Sequence, residues 1–130
     1  MQTPRLSLRD CLAIGLGGMF GSLLRSWIGT GFEGSFPLPT LFVNILGTAA
    51  LGVLHASRHR LDPGGRYLYM VGFCGSFTTV SLFSLENLSL LREGRLAPAL
   101  FHLGLPVLVS LFFVTWIISK VDSRSGKEAS

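Results

Sequence analysis

The residues best placed to do chemistry lie in one run, GFCGSFTTVSLFSLE at positions 72–86. Gly72, Gly75 and Ser76 are followed by Thr78, Thr79, Ser81 and Ser84, inside a stretch that is otherwise apolar. A bilayer offers hydroxyl groups no partners, so this many in one membrane segment must face protein, water or a solute that crosses. Gly and Thr also weaken helix continuity, which predicts a local break near the middle of the segment. Ser81 and Ser84 are three apart and share a helix face, and Phe77, Val80 and Phe83 repeat at the same interval beside them. Phe at helical spacing is ordinarily core packing. Hydroxyl donors alongside it, with the positive edges of aromatic rings, suit the passage of an anion instead.

Three further positions bear on that reading. Asn44 is the one strongly polar interior residue of LPTLFVNILGTAALGVLHA, with Thr40 and Thr48 one turn to either side on the same face. Its amide has two uses: an interhelical hydrogen bond, or a donor to a passing anion. Arg25 follows GLGGMFGSLL in a stretch that is still apolar, and must either snorkel to the interface or anchor helix-end carbonyls. Gly17 with Gly21, and Gly18 with Ser22, form small-residue pairs that read as helix packing. In PALFHLGLPVLVSLFFVTWIISK the polar members are Ser110 and Thr115, and Pro106 predicts a kink. Glu86 reads as a surface residue within reach of Arg92 or Arg95. Cys11 and Cys74 read as packed thiols, and His55, His59 and His102 lack metal-ligand spacing. No nucleophile has a neighbouring base and no carboxylates pair, so the pattern is not that of an enzyme.

The elements that hold these residues follow from composition. Charged residues make up 14% of the 130-residue chain, against about 25% in a soluble domain. The mean hydropathy is +0.53. Four apolar runs, at 10–30, 39–57, 67–91 and 97–120, each approach the roughly 20 residues a bilayer demands. The chain therefore reads as one all-α, four-span membrane domain over 1–130, with 121–130 a polar, disordered tail. The first run is too long for a cleaved signal peptide. The net charge of +4 reflects basic residues flanking spans, not nucleic-acid binding. Four spans put Arg5, Arg9, Arg58, Arg60, Arg66, Lys120, Arg124 and Lys127 on one side, and Arg25, Arg92 and Arg95 on the other. Positive charge favours the cytoplasm, which predicts that both termini lie there.

GGMFGSLLR, LFVNILGTAALG and GFCGSFTTVSLFS together resemble, in order and spacing, the signature blocks of the Fluc (CrcB-type) fluoride channel family. The resemblance covers all four runs. It implies a passive, fluoride-selective channel in the cell membrane that exports fluoride and so relieves its toxicity. It implies two four-span subunits packed antiparallel, two pores along their interface, and a structural sodium ion at the dimer centre. By the same resemblance the sodium falls to the backbone carbonyls of Gly75 and Thr78. Asn44 is the pore amide, Val80 and Phe83 stand at the pore phenylalanine positions, and Thr79, Ser81 and Ser84 form the polar track. Arg25 matches the arginine after the first glycine block; Ser110, as a polar member of the fourth span, is a further pore-lining candidate.

Two departures stand out. The family motif TTFSTF reads TTVSLF here, so Val80 replaces a pore phenylalanine and Leu82 a threonine. Eight basic residues against three also favour one fixed orientation, whereas an antiparallel homodimer needs one sequence to insert both ways. Both departures fit a heterodimer with a related, oppositely oriented subunit, as an alternative to the homodimer. A non-conducting subunit rests on Val80 alone. A small multidrug-type transporter would need a carboxylate in the first span, where only Asp10 stands at the edge.

Overall fold

The first helix, α1 (Leu8–Thr30), begins where the sequence supplies a capping box. The Ser7 hydroxyl accepts from the Asp10 N–H at 3.2 Å, and the Asp10 carboxylate accepts from the Ser7 N–H at 2.8 Å. The computed structural model describes residues 6–31 and 36–128, apart from the side chains of 118 and 120–128. The second helix, α2 (Leu38–Ala56), carries Pro39 in its first turn. After a 3-10 turn at Arg58–Arg60, Asp62 caps α3 (Pro63–Arg66) by accepting the Gly65 N–H at 3.2 Å. The helix continues as a wider π-helical stretch (Tyr67–Cys74) into α4 (Gly75–Phe77). Residues 78–80 belong to no helix, Thr78 is extended (φ −79°, ψ 156°), and α5 (Ser81–Arg92) follows.

Gly94 closes α5. It adopts φ +73°, a left-handed conformation that suits a residue without Cβ. The N–H of Gly94 donates to Leu91 O at 3.1 Å, and that of Arg95 to Leu90 O at 2.9 Å. This paired pattern satisfies the last carbonyls of the helix and turns the chain sharply. The final helix, α6 (Leu96–Glu128), then runs back along α5 and α2, passing through Pro106 without interruption. Helix also replaces the disordered tail expected from 121, extending to Glu128. The stretch holds no proline, and a helix once nucleated propagates at little cost. Residues 129–130 of that tail and Arg5 of the charge pattern lie outside the described residues.

Among the described residues, four helices are long and apolar enough to cross a membrane: Leu8–Thr30, Leu38–Ala56, Pro63–Arg92 and Leu96–Ile117. The third starts earlier than its apolar run because Asp62 and Pro63 provide a cap and a first-turn proline. α1 lies parallel to the first half of that span. Gly17 and Gly21 are buried there, and a Cβ on either would overlap the backbone carbonyl of Leu68 or Phe73. On α2, Gly47 admits Thr78, and Gly52 admits Ile117 of α6. The buried apolar core is small: Leu41, Val43, Cys74, Phe77, Leu90, Ala99 and Ile117. Only 6% of the apolar window of the fourth span is buried, so most of its surface must face lipid or another chain. Cys11 and Cys74 are both free thiols; Cys74 is buried as expected, but Cys11 is exposed.

Candidate functional site

The gap between α4 and α5 is held open by Asn44. Its Nδ2 donates to the Thr79 carbonyl at 3.0 Å, and its Oδ1 accepts the Thr79 N–H at 2.8 Å. One side-chain amide thus brackets one peptide unit across two spans, so the amide makes the interhelical bond. One N–H of Nδ2 is left over. The bracket has a consequence for the helix. The Thr79 N–H would otherwise close onto the Gly75 carbonyl, and the Leu82 N–H, which would close onto the Thr78 carbonyl, goes instead to Thr79 Oγ1 at 3.3 Å. The two carbonyls assigned to sodium by resemblance are therefore among those at the break that lose their helical donors. Gly75 is exposed, with open space where a Cβ would be. Thr78 keeps local bonds, its N–H and its hydroxyl both donating to Cys74 O, at 3.1 and 3.0 Å.

The remaining candidates fall around this gap. Thr79 is buried, and its hydroxyl lies 3.3 Å from that of Ser81. Ser81 and Ser84 are exposed, and the Ser84 hydroxyl donates back to Val80 O at 2.8 Å. Val80 is 78% exposed and Phe83 half-buried. Ser110 is half-buried on α6 and has no hydrogen bond among the described residues. Arg25 is half-buried, and its Nε donates to Ser76 O at 3.3 Å, one of the last carbonyls before the gap. Helix ends carry partial negative charge, which a guanidinium complements. Thr48 donates to Asn44 O at 2.8 Å, within α2.

A second polar cluster joins α2, α5 and α6, and the sequence did not announce it. Glu86 is half-buried rather than a freely exposed surface residue. It accepts from the buried Thr40 hydroxyl at 2.7 Å, while Arg95 pairs with Glu93 at 3.4 Å. Its Oε2 faces Nε2 of His102 at 3.7 Å, and His102 is fully buried. The Asn87 Nδ2 donates to Phe83 O at 2.7 Å and lies 2.9 Å from His102 Nδ1. Because a carbonyl only accepts, the amide orientation is fixed; Nδ1 is then the acceptor, and Nε2 carries the ring proton. Phe83 stacks on the same imidazole, ring centres 4.8 Å apart, and Phe36 meets it edge-on at 5.7 Å. Among the described residues, Glu86 Oε2, Asn87 Oδ1 and His102 Nε2 have no hydrogen-bond partner. One signal in the sequence bears on this. A tight turn at Gly94 makes α5 and α6 antiparallel, so residues at nearly equal distances from it, such as Asn87 and His102, meet. Nothing local connects Thr40 to Glu86.

Four membrane-length apolar helices around a clamped polar gap define a small multi-pass membrane protein. The chain belongs to the CrcB family: the family model described as "CrcB-like protein, Camphor Resistance (CrcB)" matches residues 12–117. It is 42% identical over 126 residues to the fluoride-specific ion channel FluC of Pseudomonas putida, covering 92% of this chain and 99% of that relative. The protein of the same name from Chromobacterium violaceum is 41% identical over 109 residues, 79% of this chain and 86% of the relative. That from Methylococcus capsulatus is 40% identical over 112 residues, 81% of this chain but 49% of the relative. The chain thus spans about half the length of this last protein.

Proposed function

We propose that this chain is a subunit of a fluoride channel that lets fluoride leave the cytoplasm passively. The observation that carries this reading is the Asn44 clamp on Thr79, which keeps a gap lined by uncharged donors open inside a membrane span. Fluoride is small and strongly hydrated, so crossing requires several donors in place of water, and weak serial sites release it where a fixed charge would trap it. The spare Asn44 N–H and the hydroxyls of Thr79, Ser81, Ser84 and Ser110 are such donors. Ser84 trades its bond to Val80 O for one to the ion. Phe83 offers a ring edge, and Val80 offers none. The names of the relatives support the choice of fluoride.

In this reading the third span is functionally broken at 78–80 and two copies pack antiparallel, with the exposed gap face of each against the other. The carbonyls of Gly75 and Thr78, deprived of helical donors, suit a hard monovalent cation, and sodium there would supply fixed positive charge at the dimer centre. The Lys and Arg bias of this chain favours the orientation with both termini in the cytoplasm. A homodimer must insert half its copies against that bias, and a heterodimer with a related subunit need not.

The test is reconstitution of the purified chain in vesicles loaded with potassium fluoride, with a fluoride electrode outside and valinomycin added to release the potential. Prompt fluoride release is expected. Silence from the folded chain alone overturns the homodimer. Continued silence after co-reconstitution with a related four-span subunit overturns the channel.

A further inference from the structure

At the corner between α2 and the third span, a cavity of about 390 Å³ opens at the end of the helical bundle. Its lining combines the basic side chains of His55, Arg58 and Arg66 with Tyr67, Met70 and Val71. Arg58 is held over the end of α2 by donating from Nη1 to His55 O at 3.2 Å. No carboxylate lies within 4.0 Å of Arg58 or Arg66 among the described residues. Asp62 is the single acid in the 57–66 loop, and it is occupied in capping α3. Tyr67, Met70 and Val71 belong to the start of a membrane-length helix, with the tyrosine at its edge, as at a headgroup boundary.

We infer that this cavity is a binding site for the headgroup of an anionic phospholipid. Two guanidiniums with no counter-ion among the described side chains call for an anion that accepts several hydrogen bonds, which a phosphate diester does. The apolar part of the same lining calls for a ligand with an apolar body attached to that anion. A free inorganic ion satisfies the arginines and leaves the apolar lining wet. A phospholipid satisfies both, its phosphate between Arg58 and Arg66 and its acyl chain along Met70 and Val71. Basic pockets beside membrane helices bind anionic headgroups in this way. The site rests on the basic corner and the membrane span alone, and stands or falls independently of fluoride conduction.

The test is native mass spectrometry of the detergent-purified chain titrated with phosphatidylglycerol, phosphatidylcholine or inorganic phosphate. The wild type is expected to retain phosphatidylglycerol over phosphatidylcholine. The paired change Arg58→Gln with Arg66→Gln should reduce that preference on the order of tenfold, while Arg58→Lys with Arg66→Lys keeps most of it. Val71→Asn, at an exposed position outside the core, should weaken retention of both lipids without touching a charge. Equal retention of the two lipids by the wild type overturns the site. So does an unchanged preference in the Gln pair and unchanged retention in Val71→Asn, or displacement of phosphatidylglycerol by inorganic phosphate at matched concentration.

Discussion

Asn44 is the residue on which the local geometry turns. Removing it strands the Thr79 N–H and carbonyl together, and each unpaired buried backbone group costs about 1–3 kcal/mol. A typical interhelical side-chain bond in a membrane contributes only about 0.6 kcal/mol. Asn44→Ala should therefore lower the melting temperature in detergent visibly and cut fluoride efflux about tenfold or more. Asn44→Asp is the sharper probe. It keeps an acceptor for the Thr79 N–H, but sets a negative charge against the Thr79 carbonyl and against any passing anion. Efflux should vanish; if it persists, Asn44 does not line the pathway. Val80→Phe runs the other way. Val80 is 78% exposed, so a larger ring has room there, and efflux should rise if the missing ring edge limits conduction.

The seam between α1 and the third span belongs to the scale of elements. Gly21 sits against the Phe73 carbonyl, so Gly21→Ala must push two backbones apart, at about 1–3 kcal/mol. Gly15 has open space around it, and Gly15→Ala should cost nothing there. Thermal aggregation in detergent, compared between the two, checks the pairing. This seam was legible beforehand, because Gly17 and Gly21 lie one turn apart and small residues at that spacing have few other uses in a membrane. The four helices were legible from the apolar runs, and the extended Thr78 lies where Gly and Thr crowd. The Thr40–Glu86 bond and the burial of His102 were not. Each depends on which helices become neighbours, and a carboxylate near the end of a span looks the same in sequence whether it meets water or a buried hydroxyl. The Asn44 amide was open between two partners for the same reason: its type was informative and its partner was not.

For the whole molecule, the thin core is the dominant fact. A chain with large apolar side chains such as Trp27, Phe112 and Leu108 turned outward has much surface left for lipid and for a second subunit. If the partner is an inverted copy, His59→Cys in a Cys11→Ser, Cys74→Ala background should react with a membrane-impermeant maleimide at about half of its subunits from each side of intact cells. Labelling from one side only assigns a single orientation and requires a related partner. The Gly94 turn bears on how such a chain enters the bilayer at all. Asn87, Glu86 and His102 are poor cargo for a translocon one helix at a time. A turn this tight delivers α5 and α6 as a hairpin, with Asn87 already bound to the imidazole, so biogenesis never has to expose those groups singly to oil. A longer linker inserted at Gly94 would leave the finished fold possible and make the protein harder to produce.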